Sequence, residues 1–166
     1  MTENAVPAPN CPPACRVNNH IAMAHVADVD QSLRFYTLLG FSCESRFSGD
    51  DGVPYFASIE ADRARLMLVR ASGPVDPRQQ AVLFYMYSPD VASLREHLLK
   101  QGLTDGGKPP GEYEPGTAPT MIPEREAVFN IVSRFYMPDG EFRIHDPDGY
   151  CILVGQLPKS CPEPGR

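Results

Sequence analysis

Between Asn19 and Leu157 the hydrophobic and polar positions fall into two runs of the same kind. His20 to Val26 alternates apolar with small residues, the period of a half-buried strand. Asp28 stands where a helix N-cap belongs, ahead of Ser32, Leu33, Phe35, Tyr36 and Leu39 at helical spacing, and Gly40 supplies the stop. Strands are expected near Ser42 to Phe47, Tyr55 to Glu60 and Arg65 to Arg70, with a turn at Gly49 to Gly52 and a short polar turn before the last of them. The pattern then restarts. Ala81 to Tyr87 is strand-like, Pro89 and Asp90 open a helix carrying Val91, Leu94, Leu98 and Leu99, and Gly102 closes it. Asp28, Val29 and Gly40 correspond to Asp90, Val91 and Gly102 at one constant offset, the mark of an internal repeat.

The second run continues through a Gly- and Pro-rich stretch, 104–123, which reads as a loop, either a mobile lid or a solvated insertion. Ile131 to Met137 is then a strand, Pro138-Asp139-Gly140 a turn, and Glu141 to His145 another strand. Asp146-Pro147-Asp148-Gly149 is a strong turn, because Pro presets its second position and Gly admits positive φ. It leads into the strand Tyr150 to Gly155. The expected fold class is α+β, with two βαβββ repeats, 19–72 and 80–157, forming a curved sheet around a cavity. They make one domain over 19–157, flanked by Pro-rich flexible tails at 1–18 and 158–166.

Composition narrows the functions this domain can serve. With 166 residues, 42% of them hydrophobic, the chain is long enough for one well-packed unit. A net charge of -6 and the lack of any Lys and Arg run argue against nucleic acid as a partner. No apolar stretch approaches the roughly 20 residues that span a bilayer, and MTENAVPAPN lacks the basic and apolar regions of a signal peptide. A cytoplasmic protein with no membrane partner is expected. Its five cysteines are an odd number, so reduced thiols and no structural disulfide are expected. Cys11 and Cys15, even joined by Cys161, lack the paired His or second Cys pair that completes a tetrahedral zinc site.

Two segments carry a resemblance. His25-Val26-Ala27-Asp28-Val29-Asp30-Gln31-Ser32-Leu33-Arg34-Phe35-Tyr36, with Leu39-Gly40-Phe41 behind it, resembles the first motif of the vicinal oxygen chelate superfamily, which includes glyoxalases, bleomycin-resistance proteins and extradiol dioxygenases. FRIHDPDGYCILV, from Phe142 to Val154, resembles its last hairpin. With the internal repeat, the likeness spans nearly all of the chain outside its tails. Phe35, Tyr36 and Leu39 are expected to pack the helix on its sheet, and the DPDG turn is expected to be structural.

The resemblance implies a question about metal. Catalytic members of the superfamily gather His and Glu side chains from four strands, so that a divalent cation polarises two neighbouring substrate oxygens. Carried onto this chain, those positions fall on Ile21, Met67, Leu83 and Leu153. None offers nitrogen or oxygen to a hard or borderline cation. A one-residue slip at the first position recruits His20, but on the opposite face of the strand. No metal, no cofactor and no catalytic residue are expected from this pattern.

Alternation from those four positions brings Met23, His25, Arg65, Val69, Tyr85, Tyr87 and Cys151 onto the same faces. The expected ligand-binding set is Met23, His25, Arg65, Met67, Leu83, Tyr85, Tyr87, Cys151 and Leu153. Met adapts to irregular ligands, Tyr presents a flat face with a polar tip, and His or Arg anchors one polar group. Such a lining suits an apolar or amphipathic small molecule better than a sugar or a phosphate, unless these side chains simply fill a collapsed core. Cys151 among apolar neighbours is expected to be inert. His97 and Arg95, on the polar side of the second helix, are expected to be solvated.

The reading that follows is a metal-free protein that sequesters a small molecule, resembling bleomycin-resistance proteins and pairing as a homodimer through its exposed strands. One alternative is a lyase, isomerase or oxygenase of the same superfamily with an atypical site. That enzyme would use His25 or His145 as a general base; as metal ligands the same histidines, with Glu60 and Glu141 as possible carboxylates, do not make up a site. Another is a module whose cavity is filled by its own side chains.

Overall fold

The computed structural model describes residues 19–76, 83–109 and 125–157. The N- and C-terminal tails, with Cys11, Cys15 and Cys161, and most of 104–123 lie outside the described residues. The first repeat runs β1 (Ala22–Val26), α1 (Val29–Leu38), β2 (Ser42–Ser48), β3 (Pro54–Ala61) and β4 (Ala64–Arg70). These strands form one sheet in the order β1-β4-β3-β2, with β1 parallel to β4 and the rest antiparallel. Asp28 is the N-cap of α1, its carboxylate accepting from the Gln31 amide at 2.9 Å. Gly40 ends the helix at φ +88°, where other residues are strained.

The second repeat begins the same way, with β5 (Phe84–Ser88) and α2 (Val91–Lys100). Asp90 caps α2 through the Ser93 amide at 2.9 Å, so the matched Asp positions do the same work in both halves. Thereafter the chain forms β6 (Thr104–Gly107), β7 (Ala127–Phe129), β8 (Val132–Arg134), β9 (Met137–His145) and β10 (Cys151–Gln156). Its sheet is ordered β5-β10-β9-β7-β6, and β8 pairs with β9 beside that path. The α+β class and the paired βαβββ plan are as the sequence suggests, but the second sheet has six strands rather than four.

Two segments fold otherwise than their local sequence suggests. Thr104–Gly107 is strand, not loop: it pairs in parallel with β7, and Gly106 serves packing. A Cβ on Gly106 would stand 2.4 Å from the Phe129 ring, a spacing no side chain survives. Pro138-Asp139-Gly140 is likewise not a turn. Arg134 pairs with Met137, so the chain reverses at Phe135-Tyr136, and Pro138 to Gly140 form an irregularity inside β9. Gly140 sits there at φ +109°, with the Ile131 side chain 2.9 Å from where its Cβ would be.

Each sheet buries one face beneath its helix. Ala24, Val26, Ile59, Leu66 and Leu68 meet Val29, Phe35 and Tyr36 of α1, while Phe142, Ile144, Ile152 and Val154 meet Val91 and Leu98 of α2. The halves are joined by the turn between β9 and β10. Asp146, fully buried, accepts from the Tyr36 hydroxyl at 3.2 Å and from the amides of Asp148 and Tyr150. Asp148 accepts from the Ala27 amide at 3.0 Å, and the Tyr150 hydroxyl donates to the His25 carbonyl at 3.0 Å. The DPDG turn thus clamps the start of α1 as well as closing a hairpin.

Candidate functional site

The faces turned away from the helices are where the expected ligand-binding residues lie. On β1, Met23 and His25 are exposed while Ala24 and Val26 are buried, as period-two alternation requires. Met23 lies opposite Met67, and His25 opposite Val69. On the same face, Arg65 pairs with Glu60 at 3.3 Å, and Ser58, opposite Met67, donates to Glu44 at 3.1 Å. This first face is thus thioether and aliphatic at one edge and polar at the other.

The second face is aromatic. Leu83, Tyr85 and Tyr87 are all exposed, and the two tyrosine rings stand 5.2 Å apart, tilted by 54°. Leu153 lies between Tyr85 on one side and Arg143 on the other, and Gly155 between Tyr87 and Glu141. Glu141 is only 3% exposed and has strong donors around it: Tyr85 and Tyr136 each donate a hydroxyl at 2.9 Å, and Arg134 stands at 3.7 Å. Partial burial and then the bond to Glu141 hold the Tyr85 hydroxyl above the usual tyrosine range; for Tyr136 that bond comes first and burial second. Both phenols are therefore neutral donors at any ordinary pH. Burial also raises the Cys151 thiol, so it stays protonated and is a poor nucleophile.

The expected residues do not share one pocket within a single chain. Met23 and His25 line a cleft of about 740 Å³ with Ile21, Ala71 to Asp76, Phe84 and Tyr150. Tyr85 and Tyr87 line another, of about 660 Å³, with Phe41, the 61–64 turn, Leu94 and Leu157. Leu153 borders a small recess beside Arg134, Glu141 and Arg143. Arg65, Met67, Leu83 and Cys151 lie on the sheet faces outside these clefts. His97 is exposed, but Arg95 is not: its guanidinium holds the Phe129 carbonyl, Asp105 and Asn130 at 2.8–2.9 Å and ties α2 to β6. His145 is buried with its ring edge-on to Phe129, 5.1 Å between centroids.

The sequence marks Glu141 only as one possible carboxylate, and it does not single out Tyr136, Arg134, Arg143 or Gly155. The alternation on β9 puts Glu141 and Arg143 on one face, but the misplaced turn at Pro138 hides how Tyr136 returns to them. At the four positions where the resemblance would place metal ligands the chain has Ile21, Met67, Leu83 and Leu153, whose carbon and thioether side chains do not suit a hard or borderline divalent cation. Among the described residues, no group of three or more His, Cys, Asp or Glu is placed to hold a metal ion.

This architecture has known counterparts. The model of the Glyoxalase/Bleomycin resistance protein/Dioxygenase superfamily matches residues 18–154. The chain belongs to that superfamily. Among solved superfamily-like structures, a bleomycin-binding protein complexed with bleomycin superposes with a TM-score of 0.59 at 16% identity, covering 86% of this chain and all of that one. A bleomycin resistance determinant encoded on the transposon Tn5 gives 0.58 at 17% identity, covering 83% of this chain and 97% of that one. The bleomycin-binding protein from bleomycin-producing Streptomyces verticillus, complexed with copper(II)-bleomycin, gives 0.56 at 17%, over 86% and 98%. No curated protein matches the sequence. At these identities the likeness establishes the fold, and the superfamily hosts many chemistries. Among the described residues no helix is long and apolar enough to cross a membrane.

Proposed function

We propose that this superfamily member sequesters an apolar or amphipathic small molecule against the faces of its two sheets and releases it unchanged. The observation that carries this reading is the exposure of Met23, Leu83, Tyr85 and Tyr87, at 54%, 63%, 38% and 57%, on faces that a folded monomer has no reason to leave apolar. The donor set at the superfamily's metal positions points the same way, toward capture rather than Lewis-acid chemistry. The bleomycin-binding proteins above share the architecture and give capture a precedent on it. Met23 and Met67 supply adaptable contacts, Tyr85, Tyr87, Leu83 and Leu153 the flat and aliphatic ones, and His25, Arg65 and the edge of Cys151 the polar border.

The two apolar faces lie on separate clefts of one chain, so closing a cavity around a ligand calls for a second copy. A homodimer in the cytoplasm, with each site walled by both chains, is the assembly we infer. The experiment is uptake of Nile red, a flat uncharged dye, by the intact protein, followed by mass analysis of the dye after release and light scattering for the mass in solution. Uptake of unmodified dye by a dimer fits the proposal. A monomer that excludes the dye, or a dye returned chemically altered, overturns it.

A further inference from the structure

Gly155 stands at a crossing of three strands, opposite Tyr87 on β5 and opposite Glu141 on β9. A β-carbon there would lie 2.7 Å from the Tyr85 hydroxyl oxygen, 2.9 Å from the Met137 methyl and 3.1 Å from the Tyr85 ring. Tyr85 is thus drawn diagonally across β10, over the gap that Gly155 leaves, and its hydroxyl reaches Glu141 at 2.9 Å. Gly155 has no positive φ, so the backbone does not require glycine. What requires it is the ring lying on top. Glycine inside a strand marks such close approaches.

The clamp on that ring is centred on a buried carboxylate, Glu141. Glu141 is held from its other oxygen by Tyr136 at 2.9 Å and by Arg134, so its carboxylate has a fixed direction before Tyr85 arrives. Tyr85 keeps 38% of its surface open, and Tyr87 stands 5.2 Å from it with 57% open. The hydroxyl and one ring carbon of Tyr85 are the atoms that occupy the space over Gly155, and a hydroxyl fixed on Glu141 holds the exposed part of the ring in one set place.

We propose that Gly155 is the specificity-determining position of the site, since it lets the clamped Tyr85 lie flat as a floor for a planar, unsaturated ring system. The inference rests on the sequestering reading and names the class of ligand within it. Flat rings gain offset stacking on such a floor, about twofold to tenfold in affinity beyond the area buried, and saturated molecules of equal size do not. Alanine at 155 lifts the Tyr85 ring and breaks its bond to Glu141, leaving the apolar area of the face nearly unchanged.

The test compares wild type with Gly155→Ala and Tyr85→Phe, using Nile red as the flat probe, decanol as the saturated one, and ultraviolet titration of the tyrosines. Gly155→Ala is expected to weaken Nile red about fivefold, to leave decanol within about twofold, and to bring one tyrosine titration down toward the ordinary range. Tyr85→Phe, which keeps the ring and the fold but loses the clamp, is expected to weaken Nile red by about half as much on a logarithmic scale. Unchanged Nile red affinity in a folded Gly155→Ala protein, or equal losses for both probes, overturns the role of Gly155 alone. Failure of the wild-type protein to bind either probe overturns the sequestering reading itself, and with it the specificity role.

Discussion

The two halves of the molecule begin on one plan, and besides the extra strands of the second they differ in the turn before their last strand. In the first, β3 returns to β4 through Asp62-Arg63, because Ala61 pairs directly with Ala64. In the second, His145 pairs with Cys151, and the residues between them form a longer loop that reaches the other half. Asp146 and Asp148 on that loop bind Tyr36 and Ala27, sealing one junction between the repeats. The short turn cannot do the same at the other junction, where Ala61 to Ala64 border the cleft shared with Tyr87, Leu94 and Leu157. Two repeats that open with the same strand and capped helix are thereby made asymmetric in their coupling, sealed at one end and open at the other.

Breaking the seal should have the largest effect. Asp146→Ala leaves the Tyr36 hydroxyl and two amides without their buried acceptor, and is expected to cost about 3 kcal/mol or more in denaturant unfolding. Arg63→Ala in the short turn is expected to stay within about 0.5 kcal/mol. Similar losses at both positions would contradict the asymmetry.

The same turn should make stability depend on pH. Burial pushes the Asp146 carboxyl up to about 7, its amide and Tyr36 hydrogen bonds opposing that only in part, and burial raises Asp148 as well. The folded protein therefore holds a proton on Asp146 that the unfolded chain gives up near its ordinary value of 3.8. Between about 4 and 7 the folded state binds more protons, so its stability is greatest at the acid side of that window and falls as pH rises through it, by an amount on the order of a few kcal/mol. Unfolding of Asp146→Asn, whose amide oxygen still accepts the two backbone bonds, should show a flatter profile. A steeper one would reverse the assignment.

Effects on ligand capture should be smaller and confined to the open faces. Tyr87→Ala and Met23→Ala are each expected to weaken Nile red uptake by roughly threefold to tenfold, with unfolding nearly unchanged since both side chains are exposed. Lys100, its side chain 68% exposed on α2 and paired with Glu96, is the appropriate control, and Lys100→Ala should change neither. Arg95 would be a poor one, because it holds three partners across α2, β6 and β7. Losses in only one of the two faces would show that the ligand touches one sheet and not both.

How much of this was legible beforehand depended on how local the signal was. Asp28 and Asp90, Gly40 and Gly102 act within a few residues of their own helices, and their spacing alone disclosed the repeat. The exposed row Met23, His25 on β1 follows from alternation and was legible too. Thr104–Gly107 was not, because a strand of TDGG is sustained by pairing with Ala127–Phe129 rather than by its own propensity. Pro138-Asp139-Gly140 carries turn chemistry that the structure spends on an irregularity under Ile131. The Glu141 cluster depends on the register among β5, β10 and β9, which no single segment encodes.

The central claim is capture without chemistry on faces that two chains enclose. Native mass spectrometry of untagged protein, with elemental analysis of the same sample, tests it most directly. The account predicts a dimer that carries a small organic molecule, loses it unaltered on denaturation, and holds far less than one transition metal per chain. One tightly held metal per chain, with the bound molecule converted on incubation, would contradict the account and place an enzyme where we propose a binding protein.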